Sequence, residues 1–415
     1  MDEYKALRNS GKLEPLEHYS HGGYHPIHIG DKLHSAQYTI VNKLGWGGSS
    51  TVWLATDAHD KNACVVISIS KASMAKHCRE VLMPKIDYLR AGDDEHPGKK
   101  HIIFPKEFFM HESCNGRHFC LVMDFEGQVV SRATNRGQGA ATRPLPLARA
   151  KEAILDLGDG LRYMHDLGMA HNDIYGANLY LGLTPNILWT ARTFEKMCGP
   201  PRKVPISRHA FMASNQHVPR YLVTDALTSE IDAELFSGPL KIGDFELAVC
   251  AGDSVSRFAQ GPWMLPEHNT PQHIDTAGDI WMFACAIYQF LSGFDLMGEY
   301  NDPLPKIVNQ TTSVLGKPPE WIIESWKEKY GKGSIRVSET PTKPLWSCVR
   351  EIRDGNMKRG MKARKHEFSD THIETLTDLL CFMLQFDPSD RPDIGEVLAH
   401  PSMEYFREQC KLAQP

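Results

Sequence analysis

His171-Asn172-Asp173-Ile174-Tyr175-Gly176-Ala177-Asn178 places a carboxylate and an amide five residues apart on one stretch. That spacing suits two jobs in phosphoryl transfer. Asp173 would accept the proton of an incoming hydroxyl, and the Asn178 side-chain oxygen would hold a metal ion. A loop merely capped by Asp and Asn has the same composition, so the stretch gains weight only from its companions. One companion is Leu240-Lys241-Ile242-Gly243-Asp244-Phe245-Glu246. There a short strand would deliver Asp244 to a turn, where a carboxylate binds the Mg²⁺ that bridges ATP phosphates. The other is Leu44-Gly45-Trp46-Gly47-Gly48-Ser49-Ser50-Thr51-Val52-Trp53. A Gly-rich turn between strands lets backbone N–H groups approach phosphate oxygens, because no Cβ blocks them. A strand rather than a helix follows, and no GK[ST] occurs, which excludes the Rossmann and Walker loops.

These residues need elements to hold them. A strand period runs over 38–44, with further strands at 51–55 and 63–70, so the Gly turn sits in a hairpin. Val81, Leu82, Ile86 and Leu89 give 76–90 a helical spacing. A polar break at 91–100 precedes strands at 104–111 and 118–124. Later segments at 147–165, 280–291, 373–384 and 394–399 have helical spacing. The fold class is therefore α+β, a bilobal chain with a small strand-rich lobe and a larger helical one. The expected divisions are an N-terminal extension at 1–37, a first lobe at 38–126, a second lobe at 127–405 and a tail at 406–415. Irregular, Pro-bearing insertions are expected within the second lobe at about 183–239 and 311–365.

Composition narrows the classes. The 415 residues are 41% hydrophobic and 23% charged, an ordinary globular balance. A net charge of -5 argues against a direct nucleic-acid binder. Ten Cys without a CxxC pair suggest reduced thiols in an intracellular protein, cytoplasmic and/or nuclear. No membrane association is expected. The first 17 residues lack an apolar signal region, and 280–291 is shorter than the roughly 18–20 residues a span needs.

Further motifs complete an ordered set: Leu265-Pro266-Glu267, Asp279-Ile280-Trp281 and Asp390-Arg391-Pro392, with Glu267 and Arg391 suited to a buried brace. The order resembles the eukaryotic protein-kinase signature. Residues 19–31 (YSHGGYHPIHIGD) and 43–57 (KLGWGGSSTVWLATD) narrow the likeness to the SR-protein kinases and their fungal relatives, over about 19–403. The family pattern accounts for His18, His21, His25 and His28 without a metal site.

The resemblance implies ATP and Mg²⁺ as cofactors and a protein substrate with basic or Arg/Ser-rich segments. It implies Asp173 as base and Asn178 and Asp244 as metal ligands. Gly45, Gly47 and Gly48 would cradle phosphate, flanked by Leu44, Trp46 and Val52. Val66, Ser68 and Glu80 would lie on the nucleotide side, as would Leu181. Met123 would be the gatekeeper, and Asp124, Phe125 and Glu126 the hinge facing adenine. The family's acidic docking groove has Glu299 and Asp302 as candidates here, against the plainer reading of a solvated loop.

Three departures bear on activity. Ser68 falls where the third strand normally carries a phosphate-pairing Lys. Lys71, three residues on, should point away, since strand side chains alternate. Lys43 on the first strand is a candidate substitute. Tyr175 replaces the Lys of the catalytic loop, and Glu246 replaces the Gly that usually follows Asp-Phe. An extra carboxylate beside phosphates is unfavourable in a low-dielectric site. Two readings of different class follow: a slow serine/threonine kinase, or a pseudokinase that binds nucleotide or acts as a scaffold without turnover. Ser254 and Ser256 lack the Arg partner that Asn172 replaces, so activation-loop switching is not expected. The basic patch at 358–365 reads as a solvated loop or a localisation signal.

Overall fold

Val65, Ile67 and Ile69 alternate along one strand, and one face of a sheet closes over them. The computed structural model describes residues 2–61, 63–131, 144–184, 189–206, 216–226, 235–250, 261–268, 275–299, 302–356, 364 and 367–412. Two units emerge. The first comprises Met1–Arg90, Ile103–Gly127 and Leu183–Phe236; the second comprises Ala91–Ile102, Gln128–Gly182 and Ser237–Pro415.

The first unit is built on six antiparallel strands: β1 (Lys32–Leu33), β2 (Tyr38–Trp46), β3 (Ser50–Asp57), β4 (Ala63–Ser70), β5 (Glu107–Ser113) and β6 (Gly116–Asp124). Their order is β1-β2-β3-β4-β6-β5. Ile40, Trp53, Val65, Ile67, Ile69, Cys120 and Val122 form the buried face. The helix expected at 76–90 is a succession of a 3₁₀ turn at Ala72–Met74, α turns at Ala75–His77, a π segment at Cys78–Leu82 and an α-helix at Met83–Arg90. Pro84 explains the widening: it has no N–H to bond the carbonyl of Glu80, and its ring crowds that carbonyl.

The extension expected to stand apart is part of this unit. Leu13, Leu16, Tyr19 and Tyr24 share a core with Val204 and Leu222. Leu183–Phe236, expected to belong with the second lobe, therefore groups with the first. Its strands Lys203–Pro205 and Tyr221–Val223 pair antiparallel, the Tyr221 hydroxyl accepts from Ile29 N at 3.1 Å, and Ala226 N donates to Lys43 O at 2.8 Å. The deepest link is an ion pair. Lys43 is fully buried, its ammonium bonds the Glu14 carboxylate, and the Tyr19 hydroxyl donates to Glu14 Oε1 at 2.6 Å.

In the second unit, helix Thr276–Ser292 is buried at almost every position. Arg391 grips Glu267 with two bonds of 2.7 Å, both side chains buried, as the sequence suggested. Arg391 also donates to the carbonyls of Ala277, Gln385 and Phe386. The stretch at 311–365, expected to be irregular, carries helices Leu304–Leu315, Glu320–Tyr330 and Leu345–Asp354. Each starts after a proline, at Pro303, Pro319 or Pro344, and stops at a glycine with positive φ, at Gly316, Gly331 or Gly355. Among the described residues, no helix is long and apolar enough to cross a membrane.

Breaking the Lys43–Glu14 pair leaves a charge in the core. Lys43→Met should cost about 3–5 kcal/mol in urea unfolding, and adding Glu14→Gln should restore most of that loss. The His25 ring stacks on that of His111 and lies tilted against that of His118, centroids 4.9 Å apart in each pair. Burial pushes His25 down to about 3, with repulsion from His118, His111 and His28 adding; burial also lowers His111 and His118. The unfolded chain takes up a proton near 6.5 that the folded chain refuses. The stability from neutral His25 is thus complete above about 6.5 and is lost as pH falls toward 3. Denaturant titrations should show this loss at about 1.4 kcal/mol per pH unit for the one proton, and a shallower slope in His25→Phe.

Candidate active site

Strand register brings the catalytic-type residues of the second unit together. Leu179–Leu181 pairs antiparallel with Leu240–Ile242, Leu179 facing Ile242. Asn178, just before one strand, therefore meets Gly243, just after the other; Gly243 N donates to Asn178 O at 2.9 Å. Asp244 follows with φ +64°, a left-handed conformation that only surrounding bonds would sustain.

The loop at 171–178 is held from below by Asp279. This carboxylate is fully buried on helix Thr276–Ser292. It accepts from His171 N at 2.7 Å, from Asn172 N at 2.8 Å and contacts His165 Nε2 at 3.0 Å. Those bonds sustain the left-handed Asn172, at φ +62°. His171 Nδ1 accepts from Asp173 N at 3.2 Å, which leaves Nε2 to donate to Gly243 O at 3.1 Å. One imidazole thus couples the Asp173 turn to the Asp244 turn.

Asn178 Nδ2 donates to Asp173 Oδ2 at 2.7 Å and to Asp173 O at 2.9 Å. This turns the amide nitrogen toward Asp173 and keeps Oδ1 for a cation. Burial pushes Asp173 up to about 6; Asp244 and Glu246 add repulsion, while His171 and the Asn178 bond oppose it. An amide oxygen and a carboxylate are hard donors that suit Mg²⁺, which usually takes one or two carboxylates and completes its shell with phosphates and water. Among the described residues no group of three His, Cys, Asp or Glu side chains could hold a metal by itself. Tyr175 packs edge-on against Trp263, ring centroids 6.5 Å apart.

In the first unit, Ser68 faces Val52 and Leu121 across the sheet, and Val66 faces Leu54 and Met123. Val52, Val66, Ser68 and Met123 are half-buried on one face, opposite the core. Gly45 opposes Val52 and Trp46 opposes Thr51, with a register shift at Leu44. At Gly47 and Gly48 an added Cβ would meet nothing within 4 Å, so the turn is open to a phosphate chain. Leu181 is a buried strand residue of the second unit. The side chains of the expected hinge residues have partners of their own. Asp124 pairs with Lys106 at 3.1 Å, and Phe125 is buried against the rings of Trp189 and Phe194 at 5.3 and 5.7 Å, so it faces the insertion. Glu126 is half-buried.

Neither candidate lysine faces Glu80. Lys43 opposes Trp53, on the core side of the sheet, and is bound to Glu14. Lys71 lies beyond the end of β4, its ammonium 4.7 Å from the Tyr24 ring centroid. Glu80 has Lys76 at 3.8 Å and Arg79 at 3.5 Å instead. Asp302 bonds Lys306 at 2.7 Å and accepts from Glu299 N at 3.0 Å. Ser254, Ser256 and nearly all of 358–365 lie outside the described residues.

Two contributors escaped the sequence reading. Asp279 was visible as part of a motif, but not as the acceptor for the loop. Tyr24 donates its hydroxyl to Gly47 O in the glycine turn, and only its place in the GGYHP stretch signalled it. Tyr24→Phe should speed amide exchange at Gly47–Ser50 several-fold in hydrogen–deuterium exchange, with little change at β5.

No family model matches the chain. It is 35% identical over 180 residues to protein kinase dsk1 of Schizosaccharomyces pombe, 42% of this chain and 32% of that protein. It is 27% identical over 418 residues to the serine/threonine-protein kinase SRPK of Physarum polycephalum, 94% of this chain and 91% of that one. To the SRSF protein kinase 3 of Homo sapiens it is 31% identical over 174 residues, 40% of this chain and 29% of the relative. The aligned stretch thus spans about a third of the yeast and human relatives and nearly all of the slime-mould one. With a strand-rich first unit and a helical second, the chain is similar to SR-protein kinases.

Proposed function

We propose that this chain is a slow, ATP-dependent serine/threonine protein kinase acting on hydroxyls in basic or Arg/Ser-rich protein segments. The observation that carries the reading is the buried Asp173 carboxylate, bonded to Asn178 at 2.7 Å on a loop fixed by Asp279. Asp173 would take the proton of the attacking hydroxyl. Asn178 Oδ1 and the Asp244 carboxylate would hold Mg²⁺, which when bound neutralises phosphate charge. Gly45, Gly47 and Gly48 would present backbone N–H groups to phosphate oxygens.

Slowness follows from charge. Ser68 supplies no cation, Tyr175 supplies none, and Glu246 adds an anion. Loss of one charge-stabilising donor costs about 10²–10³ in kcat, so these changes place turnover well below that of a fully equipped kinase. The names of the relatives, serine/threonine-protein kinase and SRSF protein kinase, support the reaction class and a protein substrate. Cytoplasmic and/or nuclear residence is part of the same proposal, resting on the unpaired spacing of the cysteines.

Transfer of labelled γ-phosphate to an Arg/Ser-rich peptide tests the reading. Wild type should exceed Asp173→Asn by about 10²-fold or more. Equal rates would overturn catalysis, and an ATP–Mg²⁺ thermal shift in that case would leave a nucleotide-binding module.

A further inference from the structure

A cavity of about 530 Å³ opens on the first unit; of the residues expected on the nucleotide side, Glu80 alone lines it. Helical residues Ala72, Ala75, Lys76, Arg79 and Glu80 form one wall, and Met110 with the β5–β6 turn at Asn115, Gly116 and Arg117 forms another. His21 and Gly22 of the extension close the third side. The size lies within the about 300–1,000 Å³ of ordinary ligand sites.

Its walls are tied together. Gly22 N donates to Asn115 O at 2.7 Å, Ser73 N to Gly22 O at 2.8 Å and Ala72 N to Gly23 O at 3.0 Å. A Cβ at Gly116 would come within 2.9 Å of Ala72 Cβ, so the turn packs there only as glycine. The site is thus built from three separate segments of chain rather than from a loose loop.

Charge selects the ligand. Lys76, Arg79 and Arg117 set three cations against the single carboxylate of Glu80, and His21 stands beside them. Lys76 and Arg79 share Glu80 through exposed contacts of 3.8 and 3.5 Å. Among the described residues Arg117 has no ion-pair partner. Met110, Ala72 and Ala75 add apolar surface. On a chain with net charge -5, a positive concavity with an apolar lining is a local inversion.

We propose that this cavity docks an acidic peptide segment, an apolar side chain against Met110 with flanking carboxylates on Lys76, Arg79 and Arg117. Cation clusters recognise acidic motifs in this way, through charge-assisted hydrogen bonds. The peptide's carboxylates compete with Glu80 for Lys76 and Arg79. The site stands independently of the phosphoryl-transfer reading.

The test is fluorescence polarisation of the full chain with a labelled peptide of Glu and Asp around one Phe, against its Lys-for-acid counterpart. The acidic peptide should bind, weaken with salt, and lose at least about tenfold in affinity in Lys76→Glu/Arg117→Glu. Both side chains are exposed, and circular dichroism melting should show that variant folded. Glu80→Gln should tighten binding several-fold by removing the competing anion. Asp173→Asn should bind like wild type, which separates this site from the reaction. No binding of the acidic peptide, or equal binding by the charge-reversed variant or by the Lys counterpart, would overturn the proposal.

Discussion

An ammonium that loses all contact with water must find an anion, and at Lys43 the anion comes from Glu14. Much of the first unit follows from that constraint. Glu14 can reach Lys43 only if the extension lies along the sheet, so Leu13, Leu16, Tyr19 and Tyr24 must be buried, and Val204 and Leu222 of the paired strands help to bury them. The same extension delivers the Tyr24 hydroxyl to the glycine turn. It also fixes what Lys43 cannot do. A lysine held on the core side by Glu14 is withdrawn from the face that Val52, Val66 and Ser68 share.

The second unit depends on a different buried carboxylate. Asp279 makes no ion pair with Lys or Arg among the described residues; backbone N–H groups and His165 satisfy it. A carboxylate on a rigid, nearly fully buried helix is a precise anchor, because the helix cannot yield without opening the core. The result is a loop in which Asp173 and Asn178 are set by backbone geometry. The positions of the acid and amide groups are thus fixed, while Glu246 adds an anion that repels Asp173.

Legibility in the sequence tracked the range of the interaction. The Asp173–Asn178 pair and the strand before Asp244 were readable because their spacing is local and strand pairing does the rest. The Glu267–Arg391 brace was readable as complementary chemistry in an ordered motif set. The partner of Lys43 was not readable because Glu14 lies 29 residues away in a segment without periodicity. The surroundings of Phe125 were hidden for a similar reason: its ring turns toward Trp189 and Phe194, which only the folded insertion supplies. The helices after residue 303 were hidden by the prolines and glycines that start and stop them. Pro84 was in plain view, yet its effect on Glu80 needed the helix to be seen widening.

The shared core of the extension and the insertion has a consequence for biosynthesis. Tyr24 leaves the ribosome early, but Val204 and Leu222, which cover it, emerge roughly 200 residues later, about 10–40 s at ordinary elongation rates. During that interval the nascent sheet exposes an apolar flank. The first unit is thus not a cotranslational starting block; its last segment ends at Phe236, after 91–102 and 128–182 of the second unit have been made.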